Sequence, residues 1–348
     1  MFVPELCGCC AWGGVMVDVS VIIPVYNVSR WISKCLDSVL GQSLRNIEVL
    51  CYDDGSTDDS VKILQRYAAI DPRIRICQCS HCGTGSIRNK AIEAAAGRFI
   101  AFMDSDDLYP EQFTLEKLVR AADEQGVDIA GGYTIGFSDD NYEGWRQRRP
   151  TAEYYPEVKG ITDYRDFQSL YGFYCYIYRR EMILKNGIRF PPLVRFEDPV
   201  FFVRAMLTAR RFYAINECVY LYRVQHKEVA WSANGYALRK EHIRGATEIV
   251  RMANENRLLK LRQFGMSEAV GGVTTFTCYQ AVRKEFSELM KNLRVGLSRG
   301  EKQWLLHWIV REENLLRRLF VAAEVLGPFD YIEAIVGDLV SGAKKVRG

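Results

Sequence analysis

No stretch of this 348-residue chain approaches the roughly 18–20 consecutive apolar residues that a helix needs to cross a bilayer. Net charge is also scarce: 46 Lys and Arg against 43 Asp and Glu leave +3, which gives no electrostatic footprint for nucleic acid. The opening MFVPELCGCCAWGGVMVDVS has no basic segment ahead of its apolar residues, so it is not read as a signal peptide. There is no internal repeat and no low-complexity segment. A disulfide pattern is missing too. Eleven cysteines are many, but the number is odd and the chain is long for a secreted disulfide framework. Cys35, Cys51, Cys175 and Cys218 fall within apolar patterns and read as small core residues. CQCSHC, from Cys77 to Cys82, has a C-x-C-x₂-C spacing that fits no common tetrahedral zinc site, and no second pair follows.

What is present is ordinary globular material, 48% hydrophobic and 26% charged, enough for two modest domains or one α/β domain with an appendage. MVDVSVIIP from Met16 would be a natural start, so residues 1–16 are expected to form a disordered extension. VSVIIPVY is a nearly continuous apolar run, as in a strand covered on both faces. SRWISKCLDSVLGQ follows with helical spacing, Ser29 as a candidate cap and Gly41 as the stop. IEVLCYDDGS, RIRIC, RFIAFMD and VDIAGGYT read as further strands, with helices around 61–68, 86–96 and 111–125 between them. This unbroken alternation implies a doubly wound, mostly parallel α/β sheet. Residues 137–172 read as a long irregular insertion. YCYIYRREM resumes as strand and helix, VRFEDPVFFVRAMLTA places Glu197 and Asp198 just before a helix with Pro199 in its first turn, and RFYAIN and CVYLYRV read as two more strands. From about Ala237 the pattern is helical to the end.

Parallel sheets bind ligands outside the carboxyl ends of their strands. Asp53 and Asp54 end the second strand and FMDSDD ends the fourth, so the acidic residues share one edge. Carboxylates as close as Asp104, Asp106 and Asp107 repel one another unless solvated or bound to a cation. A divalent ion shared with phosphate suits them, since Mg²⁺ and Mn²⁺ are held by one or two carboxylates plus substrate phosphates. Helix capping or an Asx turn would account for one of these aspartates but not for all.

VSVIIPVYN, DDGSTDDS, GTGSIRNKAIEAAAGRFIAFMDSDD and FEDPVFF, in this order and spacing, resemble the family 2 glycosyltransferases from Val19 to about Trp231. The resemblance implies a GT-A fold over residues 17–232, followed by a helical region over 233–348. It implies transfer of a sugar from a nucleotide diphosphate sugar, UDP by family frequency, to an acceptor hydroxyl with inversion, assisted by Mn²⁺ or Mg²⁺. By the same resemblance Pro24 and Tyr26 receive the base, and Asp54, beside Asp53, hydrogen-bonds it. Arg88 contacts the nucleotide. Asp104 faces ribose and metal, with Ser105 next to it in the nucleotide site, and Asp106 is the direct metal ligand. Asp198 matches the catalytic base, which takes the acceptor's proton. Its alternative reading is a helix cap, and that of Arg88 a surface arginine. His226, from a late loop, is a candidate third metal ligand and otherwise a solvated residue. Trp145, Tyr154, Tyr155, Tyr171 and Tyr174 could stack on sugars, though core or lid packing is the plainer expectation. Ile87, Ala91 and His81 depart from the family's small residue, glycine and asparagine, which bears on base and donor preference.

Rival readings lack their signatures. A dinucleotide-binding dehydrogenase needs a glycine fingerprint after the first strand, where IPVYNVSR has none. A sugar-1-phosphate nucleotidyltransferase would need a glycine-rich basic loop there. The different-class alternative is a non-catalytic GT-A relative that binds sugar or a partner. WLLHWIVREENLLRRLF mixes Trp, Leu and Arg at helical spacing, which suits a membrane interface, a second copy of the chain, or packing on the catalytic domain. The expected setting is cytoplasmic polysaccharide or glycan assembly, with a glycan or lipid-linked acceptor and peripheral contact at the inner face of the membrane.

Overall fold

A computed structural model describes residues 16–139, 144–145, 158–224 and 235–271, together with 284, 285, 288, 289 and 292. The extension up to residue 15, Tyr154, Tyr155, His226, Trp231 and the segment Trp304–Phe320 lie outside the described residues. The described residues divide into two compact units. One runs up to Phe167 and adds Tyr171–Phe190 and Arg204–Lys227; the other takes Gln168–Leu170, Pro191–Val203 and the residues from Glu228 on.

The first unit is built on β1 (Val19–Val25), whose seven residues are all buried, as its unbroken apolar run requires. Then come α1 (Ile32–Leu40), β2 (Ile47–Asp53), α2 (Ser60–Ile70), β3 (Ile74–Gln78), α3 (Thr84–Ala94), β4 (Phe99–Phe102), α4 (Thr114–Gln125) and β5 (Ile129–Phe137). Ile32, Cys35, Leu36 and Val39 form the buried stripe of α1. Ser29 does not cap α1; its N–H is instead held by Asp58. Gly126 ends α4 in the left-handed conformation at φ 61°, a position that glycine occupies without steric cost.

Among the described residues the sheet has eight strands in the order β3-β2-β1-β4-β7-β5-β8-β6, where β6 is Gly160–Asp163, β7 Tyr176–Arg179 and β8 Arg211–Arg223. β1 is parallel to both β2 and β4, and β5 is parallel to β8. β7 enters antiparallel between β4 and β5, and β6 closes the far edge antiparallel to β8. The sheet is therefore doubly wound and mostly parallel. Its order reverses at β1, so the crevice at the carboxyl ends of β1 and β4 is the switch point.

Three details differ from the sequence reading. RFYAIN and CVYLYRV form one strand, β8, with register shifts against β5 at Gly131, Tyr133 and Thr134. The bulge is possible because Gly132 lacks a Cβ, which would lie 2.4 Å from the Glu217 carbonyl. The insertion is not irregular throughout: β6 and the short α5 (Tyr164–Phe167) lie within it. Glu197 and Asp198 stand inside the first turn of their helix rather than before it.

α6 (Arg180–Lys185) follows β7, and α7 (Glu197–Ala209) precedes β8. The second unit contains the start of α7, α8 (Gly235–Asn256) and α9 (Leu259–Gly271), so the described residues that follow the sheet are helical. No helix among the described residues is long and apolar enough to cross a membrane. Cys35, Cys51 and Cys175 are buried free thiols and Cys218 is half-buried.

Candidate active site

β1 and β4 part company at the pair Ile22–Phe102. Pro24 comes just past that point, where a strand tolerates proline's missing N–H. The chain then turns through Asn27 at φ 51°. The polar residues of this turn and of GSTDDS hold one another. Asn27 Oδ1 accepts the Thr57 N–H at 2.8 Å, Ser60 Oγ accepts the Val28 N–H at 2.9 Å, and Asp58 Oδ2 accepts the Ser29 N–H at 2.9 Å. Asp53 accepts from the N–H groups of Gly55 and Ser56 at 3.2 Å, so its carboxylate shapes its own turn.

Asp54 is 5% exposed and clamps the loop before α3. Its Oδ1 accepts the Cys82 N–H at 2.7 Å and its Oδ2 the Gly83 N–H at 3.0 Å. His81 Nδ1 lies 3.1 Å from the same Oδ2. The His81 ring lies against Tyr26, tilted by 38° with centroids 4.8 Å apart, and Tyr26 is 49% exposed. An aromatic ledge thus stands beside a buried carboxylate that still has acceptor capacity.

Arg88 is no surface arginine. It is 4% exposed, its guanidinium lies 4.7 Å from the centre of the Phe173 ring and 5.2 Å from that of Phe190, and Nη2 donates to Asp104 Oδ1 at 2.7 Å. Asn89 keeps Phe190 in place: its side-chain amide donates to and accepts from the Phe190 backbone, both at 2.9 Å. Asp104 is the more open acidic residue, its side chain 26% exposed, whereas Ser105, Asp106 and Asp107 are buried.

The acidic loop is braced from β8 by two residues that sequence reading passed over. The Tyr220 hydroxyl accepts the Asp104 N–H at 3.0 Å and donates to Asp107 Oδ2 at 2.8 Å. Arg223 donates from Nε to the Asp106 carbonyl at 2.7 Å and from its backbone N–H to Asp107 Oδ1 at 2.6 Å. Burial, and then the negative charges of Asp106 and Asp104, push the Asp107 carboxyl well up, with the Arg223 and Tyr220 bonds opposing. The only signal was the polar ends of two side chains in an apolar strand, which does not say what they reach. The aromatic candidates divide. Trp145 is buried against Leu108, Ile135, Phe137 and Leu221, whereas Tyr174 stacks on Tyr220 at 4.3 Å and on the half-exposed Tyr222 at 5.8 Å. Tyr171 is half-buried.

The structure therefore brings Tyr26, Asp53, Asp54, Arg88, Asp104, Ser105 and Asp106 to one edge of one unit. No three His, Cys, Asp or Glu side chains among the described residues converge as a closed metal site. Asp104 and Asp106 suit instead an ion that draws its remaining ligands from phosphate and water. Asp198 belongs to the second unit, in the first turn of α7. The chain enters that helix through Phe196 at φ 68°, a left-handed value that costs a bulky residue ~1–3 kcal/mol. Phe196 is held by its ring contact with His242, 4.3 Å between centroids, and by Gly245, where a Cβ would come within 2.8 Å of it.

Residues 20–187 match the family model described as Glycosyl transferase family 2. The uncharacterized glycosyltransferase EpsJ of Bacillus subtilis (strain 168) is 33% identical over 212 residues, 59% of this chain and 60% of that protein. The poly(ribitol-phosphate) beta-glucosyltransferase of Bacillus spizizenii is 30% identical over 225 residues, 62% of this chain and 34% of that protein. The chain thus spans less than two thirds of the length of either relative. In fold it resembles S. aureus TarS 1–349 in complex with UDP-GlcNAc, with a TM-score of 0.70 at 21% identity over 94% of this chain and 92% of that one.

Proposed function

Residues 20–187 belong to glycosyl transferase family 2, and from that premise we propose that the chain transfers a sugar from a nucleoside diphosphate sugar to an acceptor hydroxyl with inversion. The observation that carries the reading is the gathering of Tyr26, Asp54, Arg88, Asp104 and Asp106 at the switch point of a parallel sheet. Tyr26 and His81 offer a ledge for a planar base, and Asp54 an acceptor for its N–H. UDP is the favoured nucleotide, in keeping with the UDP-GlcNAc bound by TarS.

Asp104 and Asp106 would hold Mn²⁺ or Mg²⁺, whose charge stabilises the leaving diphosphate. Arg88 fixes the Asp104 carboxylate by its ion pair at 2.7 Å. Asp198 accepts the acceptor's proton as the hydroxyl oxygen bonds to the anomeric carbon and the bond to the diphosphate breaks. The acceptor class is a glycan or lipid-linked glycan, as in polysaccharide or teichoic acid assembly. Peripheral membrane contact or self-association through the C-terminal helices belongs to the same reading, and sedimentation with anionic vesicles tests the membrane part.

A panel of nucleotide sugars with Mn²⁺, read by free nucleoside diphosphate, tests the whole. At least one donor should be turned over, and EDTA or Asp106→Ala should abolish the turnover while the fold survives. Binding without turnover of any donor, with or without glycan acceptors, would leave a non-catalytic sugar-binding module. Full activity in excess EDTA would remove the metal.

A further inference from the structure

Two local conflicts meet at the start of α7. Phe196 is left-handed at φ 68°, a region that bulky side chains avoid. Asp198 stands in the first helical turn although Pro199 follows it. A proline ring crowds the residue before it and disfavours the helical region there. The local sequence therefore prefers another backbone at both positions. A conformation of that kind persists only where its surroundings over-determine it, and such places gather where chemistry needs a fixed geometry.

The surroundings here are α8 and α9. Residues 191–196 form no helix or strand and Val194 is 72% exposed, so no regular structure sets the approach to α7. Phe196 itself is buried. Its ring lies against His242 of α8, tilted by 47° with centroids 4.3 Å apart. Gly245 brings the α8 backbone so close that a Cβ there would lie 2.8 Å from Phe196 Cδ1, 2.9 Å from its Cβ and 3.1 Å from its carbonyl oxygen. His242 is tied in turn to α9, with Nε2 3.3 Å from Glu268 Oε2. The bend is thus gripped at ring, Cβ and carbonyl by residues far along the chain. Glu197 and Asp198 are half-buried, whereas Val200, Phe201 and Phe202 are wholly buried. Burial fixes the body of α7, and the Phe196 bend sets the course of its first turn.

We propose that His242 and Gly245 are positioning residues for Asp198: by holding Phe196 left-handed, α8 sets where the first turn of α7 presents that carboxylate. The helix beyond the sheet is then part of the catalytic apparatus rather than an appendage. The base role of Asp198 comes from the proposed function, and this inference rests on it. Displacing a reacting group by about 1 Å can cost on the order of 100-fold in rate.

The test is a double-mutant cycle on the full-length chain: His242→Ala, Asp198→Asn and the two together. Turnover is read as free nucleoside diphosphate with the nucleotide-sugar panel and Mn²⁺, and circular dichroism confirms the fold. His242→Ala should lower kcat by about 10- to 100-fold and leave the donor KM within about threefold. The double variant should be no slower than Asp198→Asn alone, because a carboxylate that is absent cannot be misplaced. A residue that merely stabilised the fold would depress the residual turnover again by the same factor. His242→Phe, which keeps a ring against Phe196, should recover most of the loss. Should His242→Ala not fold, Gly245→Ala, which presses on Phe196 from the same helix, takes its place in the cycle. Unchanged kcat in the folded single variant, additive losses in the double variant, or no recovery in His242→Phe would each overturn the proposal and leave Asp198 as the base. Undiminished turnover in Asp198→Asn, or no turnover of any donor by the parent chain, would remove the base reading and this proposal with it.

Discussion

At the scale of single residues, Asp54 has two tasks. Its carboxylate ties down the N–H groups of Cys82 and Gly83, and by the proposed function it also meets the base. Asn has the same shape but only one accepting oxygen, and its NH₂ would face a backbone donor. Asp54→Asn should therefore release the loop that carries His81 and weaken nucleotide binding by roughly 10- to 100-fold, the cost of a lost charge-assisted bond of about 1.5–3 kcal/mol. Calorimetry with UDP and Mn²⁺ reads the affinity; an unchanged value would show that neither task bears on the nucleotide. Asp54, Asp104 and Asp106 were legible because carboxylates crowded at a strand end have few structural uses. Tyr220, Arg223 and Asn89 were not, because their partners lie on other elements and are set by sheet register. Ser29 was misread as a cap because it is the right residue type at the right offset, yet it is tied to Asp58 and α1 has no side-chain cap.

At the scale of elements, β1 to β5 and β7 could be read from apolar runs, but β6, the unity of β8 and the lateral order of the strands could not. β7 lies between β4 and β5 because the chain returns to the sheet after a long excursion, and nothing local in YCYIYRR encodes that neighbour. Gly131 is the trace it leaves. A Cβ on Gly131 would lie 2.1 Å from the Tyr176 ring and 2.6 Å from the Cys175 carbonyl, so β5 and β7 can pair only over a glycine. Gly131→Ala should destabilise the protein by about 1–3 kcal/mol, measured by urea unfolding; a smaller loss would mean that Tyr176 swings aside freely.

The loops after β1 and β2 supply a pH test. Burial pushes the Asp58 carboxyl up, but the hydroxyl and backbone donors of Ser60 and Ser29 outweigh it and hold it down at about 2. The unfolded chain, near 3.8, takes its proton first as pH falls. The stabilisation is thus complete above about pH 4 and is lost on descending toward 2. Asp58→Ala should cost about 1 kcal/mol at neutral pH, as for a lost helix cap, and almost nothing near pH 2. Equal destabilisation at both ends would assign the effect to packing instead.

At the scale of the whole molecule, the assigned machinery is divided between two compact units. The residues that the proposed function gives to the nucleotide belong to the first, and Asp198 to the second. Binding and turnover should therefore be separable by substitution. Asp198→Asn keeps the size of the side chain, but it cannot accept the acceptor's proton. Nucleotide binding stabilises the folded state by mass action, by ~2.7 kcal/mol at a hundredfold excess over Kd, and that shift in melting temperature should survive the substitution. Transfer to acceptor should fall by ~10²–10⁴, the usual worth of a general base. The entry to α7 is fixed by Phe196, His242 and Gly245, none of which the substitution touches, so a folded variant is expected. Turnover within a few-fold of the parent protein would hand the base role to Glu197 or to another group. A lost nucleotide shift in a folded variant would mean that Asp198 contributes to donor binding, and the division of labour between the two units would have to be redrawn.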